Sequence, residues 1–484
     1  MLLETVENLE IYYQQLMMVL KSHLKSRVAE MRVTEILSKF IVETEFEDIP
    51  IDIVNKVKIC FLDALGVGIA GFTLEKEMLK PILELIKEIR GSESTVIVDG
   101  FKTNFLYAAL ANGSFIHSID FDDTHPAALT HTSSVLVPAA LALGEKLNSN
   151  GKEIVTAFTL GFEAAAKVGQ SVMPNLARFW HSTALNGTIG AAALGGKLLK
   201  LDVEQMNMAF GIAADIASGT YACIEFGDIT KSLHSGMAAM KGLLAAWLVK
   251  KGGIGPRDIF EYKKGYCRIY SNNPKIEKIS ENLGKPFELS FNGIKAFPSI
   301  LASHTPIQAL IKIIRSRSIK VDEIDEISLK TYNLAASSFC NYNPQTLMAA
   351  RLSIPFCLAL AAVEGHVTIQ NFTWEKIFDP KIREFMKRIR VEGDSELDKL
   401  YPEMFPAEVK VTLKDGRSYS ETEYYPKGSY KNPLTNEELQ NKFLNLATIT
   451  FTMKQAQEII NIINVLEKVN KISELTSLLV KTSE

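Results

Sequence analysis

Cysteine is scarce and scattered: Cys60, Cys223, Cys267, Cys340 and Cys357 are odd in number and never fall in a C-x-x-C pair. That spacing argues against a disulfide framework, a zinc knuckle or an iron-sulfur cluster, and it fits a reducing cytoplasm. A dominant charge sign is missing too. Lys and Arg number 53 against 56 Asp and Glu, a formal net charge of -3, with no basic stripe for nucleic acid and no acidic tail. No uninterrupted apolar run reaches the roughly eighteen residues of a membrane span. The N-terminus M-L-L-E-T-V-E-N-L-E carries glutamates where a signal peptide needs positive charge, and it reads as an amphipathic extension over 1–33. These absences predict a soluble chain whose ligand is a small molecule, with neither nucleic acid nor membrane as a partner.

What is present is helix. Ile36, Leu37, Phe40 and Ile41 recur at helical spacing after Thr34, a candidate cap, and Pro50 opens a second helix through Val54, Val57, Leu62 and Leu65. Further helices are expected over 75–89, 104–117, 135–147, 154–172, 184–199, 203–218 and 231–250. Their many Ala and Gly residues suit close backbone packing. T-V-I-V-D-G from Thr95 reads as a lone strand, so no strand–helix alternation begins there.

After about residue 275 the texture changes. A strand at Ile324, a helix over 347–364, and the alternation of Val409, Val411 and Leu413 before Asp415-Gly416 predict a smaller α+β domain over 276–425. Thr435-x-x-Glu438 is a capping box ahead of helices over 426–484 that return to the first domain, 1–275. The fold class expected is mainly α, with a large helical domain and a smaller α+β lid.

The run F-I-H-S-I-D-F-D-D-T-H-P-A-A-L-T-H from Phe115 is the densest in proton-carrying groups. Its histidines fit no H-E-x-x-H spacing, and D-F-D-D-T could hold magnesium or could cap the next turn. Asp122 and Asp123 are read as caps. Asp120, Thr124 and His131 are the functional candidates, because carboxylate, hydroxyl and imidazole together give and take protons near neutral pH. N-G-T-I-G-A-A-A-L-G-G-K fails as a phosphate loop, with Ala191 and Leu198 at required positions and no strand before it. His181 and Thr183 precede a helix start, suiting either a cap or an anion site. Lys231 and His234 share a helical face amid small residues, Lys295 and His304 lie at the domain boundary, and Arg351 suits an ion pair or a carboxylate clamp.

At these residues the chain resembles the MmgE/PrpD family, from about Thr34 to Ala447. The carriers are L-D-A-L-G-V-G-I-A-G, H-S-I-D-F-D-D-T-H, F-G-D-I-T-K-S-L-H-S-G and V-T-L-K-D-G-R-S-Y. The resemblance implies a large helical domain, an α+β lid, a homodimer and chemistry without metal or organic cofactor. It implies a site containing Asp120, Thr124, His131, His181, Lys231 and Lys295; the aromatic or polar lid residue that the decarboxylases use is assigned to no position near Cys340 to Pro344. Many members have His-Pro-Ser where this chain has His131-Thr132-Ser133. The activity expected is a cofactor-independent lyase on a di- or tricarboxylate, 2-methylcitrate dehydratase-like. The alternatives are cis-aconitate decarboxylation, iminodisuccinate epimerisation, or a non-catalytic carboxylate-binding scaffold.

Overall fold

The computed structural model describes residues 32–89, 91–226 and 228–481, and the amphipathic extension lies outside them. Helix α1 (Val33–Glu43) starts one residue ahead of the expected Thr34 cap. The Thr34 hydroxyl is instead donated to Glu261, and Arg32 holds the cap position. Helix α2 (Ile51–Leu74) opens after Pro50, where a missing N–H costs nothing. It is long and apolar enough to cross a membrane, yet 72% of its most apolar window is buried inside the protein. Val57, Phe61 and Leu65 place it at the centre of the largest core.

After α3 (Lys76–Lys87) the expected strand shrinks to a two-residue hairpin, β1 (Ser94–Thr95) against β2 (Lys102–Thr103). The apolar run beyond Thr95 leaves the hairpin because its partner is remote: Val98 bridges Val480 near the other end of the chain.

Helices α4 (Phe105–Ile116), α5 (Ser133–Leu147), α6 (Gly151–Val172), α7 (Ser182–Leu198), α8 (Val203–Ile216), the short α9 (Ala222–Phe226) and α10 (Ile229–Lys250) follow. Asn104, Asn150 and Asp202 cap α4, α6 and α8 with their side chains. Helix α7 packs between α6 and α10, and α10 also packs on α4. At that crossing Gly113 meets Gly236, where a methyl group would overlap the Leu110 carbonyl. The close approach brings the first turn of α10 beside the last turn of α4.

A second core forms around α11 (His304–Arg317), β3 (Ile324–Thr331), α12 (Asn333–Ser338), α13 (Leu347–Arg351), α14 (Ile354–Glu364), α15 (Pro380–Met386), β4 (Ile389–Gly393), β5 (Ala407–Leu413) and β6 (Ser418–Glu423). The sheet order is β4-β3-β5-β6, parallel between β3 and β4 and antiparallel elsewhere. Val409, Val411 and Leu413 face inward as their alternation requires, and Gly416 makes the hairpin turn at φ 90°. The helix expected over 347–364 is two helices. Ser353 accepts the Phe356 N–H and starts α14, because Pro355 fits a first turn but not a helix interior.

Helices α16 (Asn436–Ala447), α17 (Met453–Asn464) and α18 (Ser473–Leu478) return to the first core, where Phe443, Leu446 and Ile459 join the α2 cluster. The capping box is formed: Thr435 Oγ1 accepts the Glu438 N–H at 3.1 Å, and Glu438 accepts the Thr435 N–H at 2.7 Å. Thr435→Ala is expected to cost about 1 kcal/mol. A urea titration measures it, and an unchanged midpoint would mean the cap contributes nothing.

Candidate functional site

The loop between α4 and α5 is buried although it is polar, so each of its groups needs a partner. Asp120 sits at φ 53°, a conformation unfavourable for a residue with a Cβ. Two ammonium groups converge on it. Lys231, in the first turn of α10, lies 2.8 Å from its carboxylate; Lys295 lies 3.1 Å from the carboxylate and donates to the Asp120 carbonyl at 2.9 Å. Lys295 is brought there by paired backbone bonds between Thr124 and Gly293, of 2.8 and 3.0 Å. Burial works to raise the Asp120 carboxyl, but the two lysines outweigh it and hold it well below the usual carboxylate range.

His117 donates from Nδ1 to Asp122 at 2.7 Å and accepts from Lys231 at 3.1 Å on Nε2, which fixes it as a neutral Nδ1–H ring. Its pKa is lowered by burial against the pull of Asp122, with Lys231 adding to the lowering. Asp122 stays ionised. Burial opposes that, but the His117 and His131 rings outweigh it.

His131 has its Nδ1 at 2.7 Å from the Asp123 carbonyl, which places the ring proton there and leaves Nε2 as the basic nitrogen. Asp122 stands 3.7 Å from the same Nδ1, the Thr124 hydroxyl 3.4 Å, and Thr183 Oγ1 accepts the His131 N–H at 3.0 Å. Burial pushes the imidazole down to about 3 against the raising effect of Asp122, with Lys295, His117 and Lys231 adding to the fall. His181, at the cap position of α7, stacks on His117 at 5.4 Å, and its Nδ1 is 3.1 Å from that of His234. Burial, then His117 and Lys231, hold its pKa well below that of free imidazole.

Asp120, Thr124, His131, His181 and Lys231 line one cavity of about 80 Å³ between the two cores. Two of the expected substrate-binding residues lie elsewhere. Lys295 is turned onto Asp120 and reaches the cavity only through it. Arg351 is buried in an ion pair with Glu75 at 2.6 Å, which joins the second core to the first and leaves no clamp for a ligand. His304 is buried against the Ser299 carbonyl at 3.3 Å.

Asp123 does act as a cap, accepting the Ser133 N–H at 3.1 Å and the Ser133 hydroxyl at 2.6 Å at the start of α5, and burial pushes it up to about 7. Asp122 does not cap; it belongs with the imidazoles. His117 and Asp122 were legible only as members of the densest run. Tyr342 is 43% exposed with its hydroxyl on the Ile389 carbonyl, while Phe339, Tyr221, Tyr332 and Tyr401 line the cavity.

Among the described residues, two groups bring metal-ligating atoms within 4.8 Å of one another: His117, Asp122 and His131, and His181, Cys223 and His234. In the first, His117 already bonds Asp122, and the Lys231 ammonium beside it would repel a cation. In the second the two Nδ1 atoms face each other at hydrogen-bond distance, with the Cys223 sulfur 3.8 Å from His234.

Comparison with known proteins agrees with this architecture. The MmgE/PrpD N-terminal domain matches residues 35–279 and the MmgE/PrpD C-terminal domain residues 297–468. A cis-aconitate decarboxylase-like protein of Aspergillus oryzae is 27% identical, over 93% of this chain and 98% of its own length. The cis-aconitate decarboxylase of Mus musculus is 28% identical, over 92% and 93%. A probable 2-methylcitrate dehydratase of Saccharomyces cerevisiae is 22% identical, over 76% and 75%. With both family domains spanning most of its length, the chain belongs to the MmgE/PrpD family, as a lyase-type member.

Proposed function

We propose that the protein is a lyase that removes a proton from a carbon beside a carboxylate and expels water, as in the dehydration of 2-methylcitrate, with no metal or organic cofactor. The observation that carries this reading is the tautomer of His131. Its Nδ1–H is spent on the Asp123 carbonyl, so a neutral ring offers Nε2 as a base in a buried cavity. Lys231 and His181 stand beside it to hold the substrate carboxylate as negative charge develops. The electron pair of the broken C–H bond becomes the new double bond as the C–O bond breaks, and the departing hydroxide leaves as water with the proton that His131 Nε2 has taken. Burial raises the Tyr221, Tyr332 and Tyr401 phenols, which stay protonated and can hydrogen-bond to the departing oxygen. Asp120 and Lys295 position Lys231, and Thr124 steadies His131.

Decarboxylation of a cis-aconitate-type acid is a second reading. It is favoured by the coverage of the relatives named cis-aconitate decarboxylase or cis-aconitate decarboxylase-like, 88% to 93% of this chain, against 76% and 77% for those named as dehydratases. Incubation with 2-methylcitrate, citrate, cis-aconitate and iminodisuccinate in deuterated buffer, followed by NMR, separates the readings. Dehydration is expected to yield an olefinic product from 2-methylcitrate. Carbon dioxide release from cis-aconitate alone would establish the second reading, and binding without turnover would leave a scaffold.

A further inference from the structure

The imidazoles and Lys231 occupy one side of the cavity; the other side offers neutral phenols and hydrocarbon, with no base and no cation. That side belongs to the second core. Ile300, Leu301, Leu334, Phe339 and Phe405 supply hydrocarbon there, and Tyr332 and Tyr401, stacked with ring centroids 4.3 Å apart, add two neutral phenols. Among the described residues lining the cavity, Lys231 is the one Lys or Arg, and it is paired with Asp120. Three buried cations outside the lining are committed as well: Lys295 to Asp120, Arg351 to Glu75 and Lys442 to Asp63. With the histidines neutral, the formal charge of the lining side chains sums to zero.

A carboxylate placed against this wall would lose its hydration and gain no cation, which is strongly unfavourable. A hydrocarbon group placed there would leave water for an apolar surface, which is favourable. Leu334 marks where the wall opens, since it is 40% exposed while Phe339 and Phe405 are buried at 5% and 6%.

We infer that the substrate gathers its carboxylates at one end, against Lys231, His181 and His131, and carries at the other end an alkyl arm longer than methyl that lies along the second-core wall toward Leu334. This rests on the carboxylate-lyase reading above and narrows it from polycarboxylates in general to alkyl-substituted ones.

The test is kcat/KM of the full-length protein on citrate and on citrates bearing a methyl, ethyl or butyl group, with products identified by NMR. A rise of about fourfold per added methylene is expected until the wall is covered. A second measurement uses Leu334→Arg, a change at the exposed rim that should leave the fold intact. It is expected to flatten the series by disfavouring the longest arm. Turnover of citrate as fast as that of the alkyl homologues would overturn the inference while leaving the lyase reading standing, and so would a series that falls with arm length. Failure to bind or turn over any of these acids would overturn both.

Discussion

His131→Ala is expected to lower turnover by about 10²- to 10⁴-fold, the usual contribution of a general base, in a protein that folds as before. The ring borders the cavity with its side chain 13% exposed, so water can enter the space it leaves and the Asp123 carbonyl it bonds can accept from that water. Circular dichroism and a thermal-shift scan establish folding, and a folded variant with full turnover would remove His131 from the chemistry. The pH profile gives an independent reading. A base works only when unprotonated, and burial pushes this imidazole down to about 3, so protonation sets in far below the range of free imidazole near 6.5. The profile of kcat/KM, which reports the free protein, is therefore expected to stay flat between about pH 8 and 5.5. An acid limb centred near 6.5 that persists in Asp123→Asn would assign the step to a solvated histidine, since Asp123, pushed up to about 7, titrates in the same range.

Asp120→Asn carries the largest expected effect on stability. The substitution leaves the Lys231 and Lys295 ammonium groups, both almost fully buried, without their shared counter-charge. Removing one partner of a buried ion pair costs about 3–5 kcal/mol, more than the pair itself contributes, because the charge left behind is desolvated and uncompensated. Asn tolerates the positive φ at this position, so the loss is electrostatic and not a matter of backbone strain. Urea unfolding is expected to show the loss. Adding Lys295→Met to the same protein should recover part of it, since one orphaned charge is then gone. A single mutant as stable as the parent would mean that Asp120 does not hold the two lysines as charged partners.

The helices were legible because their signals are local. The apolar periodicity of α2 and the Thr435/Glu438 box each lie within a few residues of the structure they dictate. Features built by remote partners were not. The apolar run after Thr95 looks like a strand until Val480 arrives beside it, and α13 and α14 read as one helix because only the Ser353 cap divides them. The site divides in the same way. Asp120, Thr124, His131, His181 and Lys231 stood out by residue type and do line the cavity. The pairing of Asp122 with His117 and His131, the facing of His181 and His234 from 53 positions apart, and the diversion of Arg351 to Glu75 depend on helix packing that no local pattern encodes. The phenols of the second core were missed for the same reason, since Tyr332 and Tyr401 stand far from the acid–base run in sequence and far from each other.

One contact also governs when the site can come into being. Lys442, on α16, donates to the carbonyls of Phe121 and Lys295 at 2.9 Å each and pairs with Asp63, so a C-terminal helix clasps the acid–base loop to the strand-like segment that delivers Lys295. Phe121 and Lys442 are 321 positions apart. At the usual pace of synthesis, roughly 5–20 residues per second, the loop waits about 15–60 s for its clasp. Over the last 147 positions of that interval, once Lys295 has been made, a nascent chain carries Asp120, His131, His181, Lys231 and Lys295 without this clasp. Closure of the clasp thus comes late in synthesis, and a chain ending before α16 would possess every residue assigned a chemical role yet lack this tie between the loop and the Lys295 segment.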